Sequence, residues 1–298
     1  MKQYQGRTAV ITGAASGFGL ELARLAAQRG MNLVLCDVQA DALARLETEF
    51  GAHPLLLRQV DVAKADQMQA LAEAVQARFG APHVVFNNAG VGSGGLIWEN
   101  SLADWEWVLG VNLMGVVHGV RLFTPMMLAA AEADPSYEGH IVNTASMAGV
   151  LNAPNMGVYN VSKHAVVSLS ETLYQDLTLV TGQVRCSVLC PYFVPTGISQ
   201  SHRNRSAEHP MHKPSKSQLV AQAMIDKAVH AGKVTAADVA AMVFQAMDEG
   251  RFYIFSHPQA LGGVQTRMED VMLQRNPTDP FADKPALREQ LVAALRQA

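Results

Sequence analysis

The chain has 298 residues, 49% of them hydrophobic, and a formal net charge of −3. That charge gives no support to nucleic acid or a polyanionic surface as a partner, and the length suits a single α/β domain built on one core. Cys36, Cys186 and Cys190 are odd in number and form no Cys-x-x-Cys pair, so they speak against a structural metal and read as buried free thiols in a reducing compartment.

Strand-like runs fall at 7–12, 32–36, 55–60, 83–86, 139–145, 184–190 and 252–255. Helical runs lie between them, near 17–29, 41–50, 64–79, 102–133, 157–180 and 235–249. Strict alternation of β and α predicts an α/β fold, a Rossmann-type doubly wound parallel sheet in a three-layer αβα sandwich. Functional loops then gather at the carboxyl ends of the strands. The near-continuous apolar character of Val84-Val-Phe86 and Val184–Leu189 suits strands covered on both faces. Met1–Gly6 lacks the apolar centre of a signal peptide. The longest apolar stretches are interrupted by Gly, Pro or charge short of the ~20 residues of a membrane span, so the expectation is a cytoplasmic protein with no spanning helix.

The first strand ends in Thr12-Gly-Ala-Ala-Ser-Gly17-Phe-Gly19, and Leu20-Glu-Leu-Ala-Arg-Leu follows with a helical period. Strand, glycine turn and helix form a phosphate cradle: glycines admit a pyrophosphate close to the backbone, and the helix N-terminus offers unpaired N–H groups. The second strand runs to Asp37. A carboxylate there can accept hydrogen bonds from adenosine ribose hydroxyls and repel a 2′-phosphate. Its plainer role would be a turn or helix-cap aspartate.

Tyr159-Asn-Val-Ser-Lys163, with Ser146 thirteen residues earlier, carries the chemistry. On a helix Tyr159 and Lys163 share one face. A tyrosine titrates near ~10, and a neighbouring ammonium favours its phenolate. Ser146 can hold a substrate oxygen. Together they make an acid/base device for an alcohol or a carbonyl.

Glycine turn, Asp37, Asn87-Asn-Ala-Gly90, Asn112, Ser146, Tyr159 and Lys163, in this order, resemble the short-chain dehydrogenase/reductase family with the Thr-Gly-x-x-x-Gly-x-Gly fingerprint, over roughly residues 5–256. The resemblance implies a nicotinamide cofactor and a tetrad of Asn112, Ser146, Tyr159 and Lys163. In it Tyr159 is the acid/base and Ser146 orients the substrate oxygen. Lys163 holds the nicotinamide ribose and lowers the tyrosine pKa, and Asn112 holds a water leading from Lys163 to solvent. It further implies that Gly13, Ser16, Gly17, Phe18 and Gly19 hold the dinucleotide, that Asp61 and Val62 contact adenine, that Asn87 lies near the adenosine ribose, and that Val194 and Thr196 meet the nicotinamide end. One departure stands out: the family's Pro-Gly after the sixth strand is here Pro191-Tyr192. That ring either reshapes the substrate cavity or packs on the lid.

Residues 1–256 are therefore expected to form the dehydrogenase/reductase domain, with a substrate lid at 195–232. Residues 257–298 form a C-terminal helical extension packed on the same domain, over either the active site or a subunit contact. His209-x-x-His212 has the spacing of a metal pair, but Pro210 lies between them, so a solvated loop is preferred and no metal is expected. Trp98, Trp105 and Trp107 read as packing residues, Trp98 also as a candidate cavity wall. Met147, Leu151, Met156, Tyr192 and Phe193 flank the tetrad and favour a hydrophobic or alicyclic small molecule. The reading is an NAD(H)-linked oxidoreductase interconverting a secondary alcohol and a ketone, acting as a homotetramer. The alternatives are an NADP(H)-dependent carbonyl reductase and a non-catalytic nicotinamide-binding sensor.

Overall fold

The computed structural model describes every residue except Lys2, Ala207, Met211, His212, Gln297 and Ala298. Strands β1 (Thr8–Thr12), β2 (Asn32–Asp37), β3 (Leu55–Gln59), β4 (Val84–Asn87), β5 (Gly139–Thr144), β6 (Val184–Cys190) and β7 (Tyr253–Phe255) form one seven-stranded sheet in the order β3-β2-β1-β4-β5-β6-β7. Every neighbouring pair is parallel. Helices α1 (Gly17–Gln28), α2 (Ala40–Phe50), α3 (Ala65–Phe79), α4 (Leu102–Leu109), α5 (Gly115–Ala133), α6 (Gly157–Val180), α7 (Lys216–His230), α8 (Ala236–Glu249), α9 (Leu261–Met272) and α10 (Pro285–Arg296) complete the chain.

Side chains alternate across each strand, and this divides the core in two. Ala9 and Ile11 of β1, Leu33 and Leu35 of β2, and Phe86 of β4 pack against α1, α2 and α8. Val10, Val34 and Val85 point the other way, onto α3, α5 and α6. Both faces being covered, the central runs of β1, β2 and β4 are apolar, as expected of a parallel sheet. All three cysteines are free and buried, and burial pushes the Cys186 and Cys190 thiols up to about 12.

The segment 102–133 corrects the expectation of short apolar stretches. It runs as one 32-residue helical stretch with a mean hydropathy of 1.4 over its most apolar 18 residues, long and apolar enough by composition to cross a membrane. Gly110 and Gly115 do not interrupt it, because a π turn at Gly110–Met114 joins α4 to α5, and Pro125 is carried inside α5. Part of its apolar surface lies in the core: Phe123, Met127 and Ala131 join the cluster formed with α3 and α6.

The order of strands reverses between β1 and β4, the site where a doubly wound sheet opens a crevice. β1, β2, β3, β4 and β6 all deliver their carboxyl ends to that side.

Candidate active site

At the end of β1 the chain turns through Gly13 (φ 64°) and Gly17 (φ 54°). A Cβ on Gly13 would stand 2.8 Å from the Ala89 Cα, and one on Gly19 would stand 2.0 Å from the Gly13 carbonyl oxygen. Both positions therefore require glycine. Thr12 and Asn88 tie this turn to the end of β4. The Thr12 Oγ1 accepts from the Asn88 and Ala89 amides at 2.9 and 3.0 Å, and the Asn88 Nδ2 donates to the Thr12 and Gly13 carbonyls at 3.0 and 3.3 Å. α1 opens beneath the turn, and its N-cap Ser16 makes no side-chain cap bond, leaving the hydroxyl and the first-turn amides for an anion.

The turn forms the floor of a cleft of ≈1620 Å³ that extends past Asp37, Asp61 and Val62 on one side and to Ser146, Tyr159 and Lys163 on the other. Asp37 leans on the turn: its Oδ2 accepts from the Ala15 amide at 3.0 Å and its Oδ1 from the Gln39 amide at 3.1 Å. The Asp61 Oδ1 accepts from the Ala63 amide at 3.0 Å. Ser16, Gly17, Phe18, Val194 and Thr196 also face the cleft, and Thr196 lies against the Gly17 turn.

Two residues expected at the cofactor do not line the cleft. Gly19 acts from below, by permitting the close approach of α1 to the turn. Asn87 is the last residue of β4 and shares the parity of Val85, so its side chain faces α5. Its Nδ2 donates to the Asn143 Oδ1 at 2.9 Å, and its Oδ1 lies over Gly119 without a hydrogen bond. Asn88, one residue on, faces the crevice instead.

At the other end Tyr159 and Lys163 project from α6. Lys163 is buried; its Nζ donates to the Thr144 carbonyl at 2.9 Å and lies 5.8 Å from the centre of the Tyr159 ring. Burial lowers its pKa to about 8. Burial also raises the phenol of Tyr159, and a hydrogen bond with Ser146 offsets this only in part. The lowering expected from Lys163 is thus not found in the protein alone: both groups are desolvated, and desolvation favours the neutral form of each. The Ser146 Oγ accepts from the Ala148 amide at 3.1 Å and approaches the Pro191 carbonyl at 3.4 Å. A phenol, an ammonium and a hydroxyl that converge at one cleft end can pass a proton to or from a bound oxygen.

Asn112 is fully buried in the π turn and does not touch the cleft. Its Oδ1 accepts from the Val91 amide at 2.8 Å, and its Nδ2 donates to the Val91 carbonyl at 3.0 Å and the Ser162 Oγ at 3.1 Å. The side chain joins three elements, and its Oδ1 keeps a second acceptor site beyond the Val91 amide. Ser162, next to Lys163, is a partner that sequence reasoning missed.

Tyr192 is 44% exposed on the cleft wall. Its amide donates to the Ser256 Oγ at 3.0 Å, and its ring packs on Phe193 and His257 at 4.4 and 5.8 Å. The ring therefore joins the wall to the chain after β7, and its packing is on Phe193 and His257. Trp98 is 75% exposed and off the cleft, while Trp107 is buried and lines it.

Residues of the segment 196–231 also line the cleft. The Ser201 Oγ accepts from the Gly92 amide at 2.8 Å, and Arg205 pairs with Asp104 at 2.7 Å while lying over the Trp107 ring. The Gln39 Nε2 donates to the Asn204 Oδ1 at 2.5 Å, beside Asp37, and Lys64 pairs with Glu208. His209 faces the cleft and bonds Ser206, whereas His212 lies outside the described residues. No group of three His, Cys, Asp or Glu side chains suited to a metal exists among the described residues. α9 and the segment after it form the far wall, and α10 packs on α7, so the extension lies over the cleft.

Residues 7–207 match the family model for short chain dehydrogenases. The chain is 32% identical over 287 residues to the CLA biosynthesis dehydrogenase/reductase of Lactiplantibacillus plantarum, covering 93% of this chain and 97% of that one. It is 34% identical over 270 residues to the 1-deoxy-11-beta-hydroxypentalenate dehydrogenase of Streptomyces avermitilis, covering 89% and 88%. A crystal structure of a short chain dehydrogenase/reductase from Burkholderia phymatum in complex with NAD superposes with a TM-score of 0.90 at 52% identity, over 94% of this chain and 99% of that one.

Proposed function

The chain belongs to the short-chain dehydrogenase/reductase family of oxidoreductases acting on CH–OH groups, and on that premise we propose that it is an NAD(H)-dependent enzyme interconverting a secondary alcohol and a ketone on a small apolar molecule, with Tyr159 as acid/base. One observation carries this reading: Tyr159, Lys163 and Ser146 converge at one end of the cleft whose other end holds the glycine turn and Asp37. The relatives named as dehydrogenases and the neighbour bound to NAD support it.

The residues present fit a dinucleotide. The uncapped Ser16 hydroxyl and α1 amides suit a pyrophosphate, and the Asp37 carboxylate suits ribose hydroxyls. Lys163 keeps donors beyond the one given to Thr144, for the ribose at the nicotinamide end. The nicotinamide, when bound, supplies the hydride acceptor. In oxidation the Ser146 hydroxyl donates to the substrate oxygen and positions it, and Tyr159 as phenolate takes the hydroxyl proton while the carbinol carbon loses hydride. In reduction the phenol returns that proton to the carbonyl oxygen. Asn112 acts as a positioning residue, fixing the Val91 loop against α6. We read residues 1–256 as the catalytic unit with its lid at 195–232, and 257–298 as part of the same body. The test is formation of reduced nicotinamide, followed by its absorbance, across a panel of neutral secondary alcohols. No signal with any of them, and none in reverse with the ketones, would contradict the reading.

A homotetramer is part of this proposal, built by pairing α4/α5 and α6 between copies. Val161, Tyr174, Leu179 and Val180 on α6 and Met114 in the π turn are exposed in the single chain, and such apolar surface is ordinarily covered. Light scattering should give a mass of four chains, and a monodisperse monomer would contradict the pairing.

A further inference from the structure

α9 presents Gly263, Thr266, Arg267 and Asp270 to the cleft, positions that the helical period places on one face. The charges on this stretch are satisfied, with one exception. The Asp270 Oδ2 accepts from the Thr278 amide at 2.8 Å, and its Oδ1 pairs with Arg275 at 3.0 Å. Glu269 accepts from the Gln265 Nε2 at 2.9 Å, and Asp279 pairs with Arg288 at 2.8 Å. Arg267 is half-buried and makes no hydrogen bond or ion pair with any described residue.

It lies at the substrate end. Gly263, one turn before it, sits against Leu151, which follows the Met147–Gly149 turn after Ser146. Burial first and the Arg267 charge after it, partly offset by the Asn160 carbonyl, hold the imidazole of His164 below its usual range, next to Lys163. The other cations on the cleft are accounted for. Lys163 bonds Thr144, Arg203 bonds the Gly197 and Gln200 carbonyls, Arg275 pairs with Asp270, and Lys227 and Lys284 are exposed at the rim. Asp37 and Asp61 belong to the opposite end. The same cleft is also lined by the apolar Leu151, Val271, Tyr192 and Phe193, of which Leu151 lies against Gly263 one turn from Arg267.

A guanidinium partly removed from water without a partner is costly, and its planar fork matches a carboxylate in two parallel hydrogen bonds. We propose that the substrate is an apolar secondary alcohol or ketone that also carries a carboxylate, and that Arg267 on the C-terminal extension anchors that carboxylate while the carbinol end lies at Ser146 and Tyr159. The inference rests on the oxidoreductase reading above and names its substrate class. A single unpaired cation suits a monoanion better than a phosphate dianion.

The test pairs 3-hydroxycyclohexanecarboxylate and 11-hydroxydodecanoate with their methyl esters, assayed with NAD on wild type, Arg267→Met and Arg267→Lys. The acids should be preferred by wild type. Arg267→Met should raise the KM of the acids ~10–100-fold, the effect of losing a charge-assisted hydrogen-bonded pair, while kcat and the ester KM stay within a few-fold and Arg267→Lys recovers part of the loss. Equal changes for acid and ester, or none, would overturn the proposal. So would a fall in the light-scattering mass of the variant, which would assign Arg267 to a carboxylate of a second copy. If no member of the panel is turned over, the cofactor-loaded protein is melted with decanoate and with decanol. Stabilisation by decanoate alone, lost in Arg267→Met, supports the anchor; equal shifts, or none, overturn it. Failure of the oxidoreductase reading looks different: neutral secondary alcohols and esters would then give no reduced nicotinamide at all.

Discussion

Tyr159→Phe should lower turnover by ~10²–10⁴-fold, the usual cost of removing a positioned acid/base, and leave cofactor affinity nearly unchanged. The substitution removes one oxygen and keeps the ring on α6, so packing is preserved. Lys163→Ala should damage both turnover and cofactor affinity, because the proposed role of the ammonium is to serve the ribose as well as the proton path. The pH dependence has a definite sign. Burial raises the phenol, so Tyr159 holds its proton at neutral pH, which suits reduction. Oxidation requires the phenolate and should rise with pH towards the phenol pKa, while reduction uses the phenol and should stay level below that pKa. Steady-state kinetics in both directions from pH 6 to 10 check this, and identical profiles for oxidation and reduction would remove Tyr159 from the proton transfer.

Wild type should use NAD(H) better than NADP(H) by a factor on the order of 10² in kcat/KM, since like charges brought together at a binding surface cost several kcal/mol. The Asp37 carboxylate is held towards the turn by the Ala15 and Gln39 amides, and a 2′-phosphate would meet it in a partly desolvated crevice. Among the described residues, Arg203 on the same cleft is held by the Gly197 and Gln200 carbonyls. Arg45 and Arg58 are both exposed and off the cleft, and Arg58 bonds the Leu57 carbonyl. Asp37→Ser should narrow the gap at least ~10-fold by removing the repulsion and keeping a hydroxyl for the ribose. Equal efficiency with both cofactors in wild type would show that Asp37 does not govern the choice.

The sheet and its main helices were legible because the strands are short, apolar and separated by strongly periodic helices. Tyr159, Lys163 and Ser146 were legible because a helical spacing and a strand end fix where they point. The side-chain direction of Asn87 was not legible because Asn87 and Asn88 are chemically alike and only the parity of β4 decides which faces the crevice. The hydrogen bonds of Asn112 had no local signal, because its partners, Val91 and Ser162, are remote in sequence and meet it only through the π turn. The helical run 102–133 was legible despite its glycines and proline, but the π turn at Gly110–Met114 inside it was not. The path of the extension had no local signal either: Arg267 and Asp270 reach the cleft through tertiary packing, and α10 (Pro285–Arg296) was not foreseen as a separate helix.

Hydride transfer is tested most directly with a secondary alcohol that the protein turns over, deuterated at its carbinol carbon, and with NAD as acceptor. Mass spectrometry of the reduced cofactor should find one deuterium per ketone formed, and the same reaction with Tyr159→Phe should form ~10²–10⁴-fold less of both in the same time. Ketone formed without deuterium in the cofactor, or at an undiminished rate in the tyrosine variant, would contradict the account.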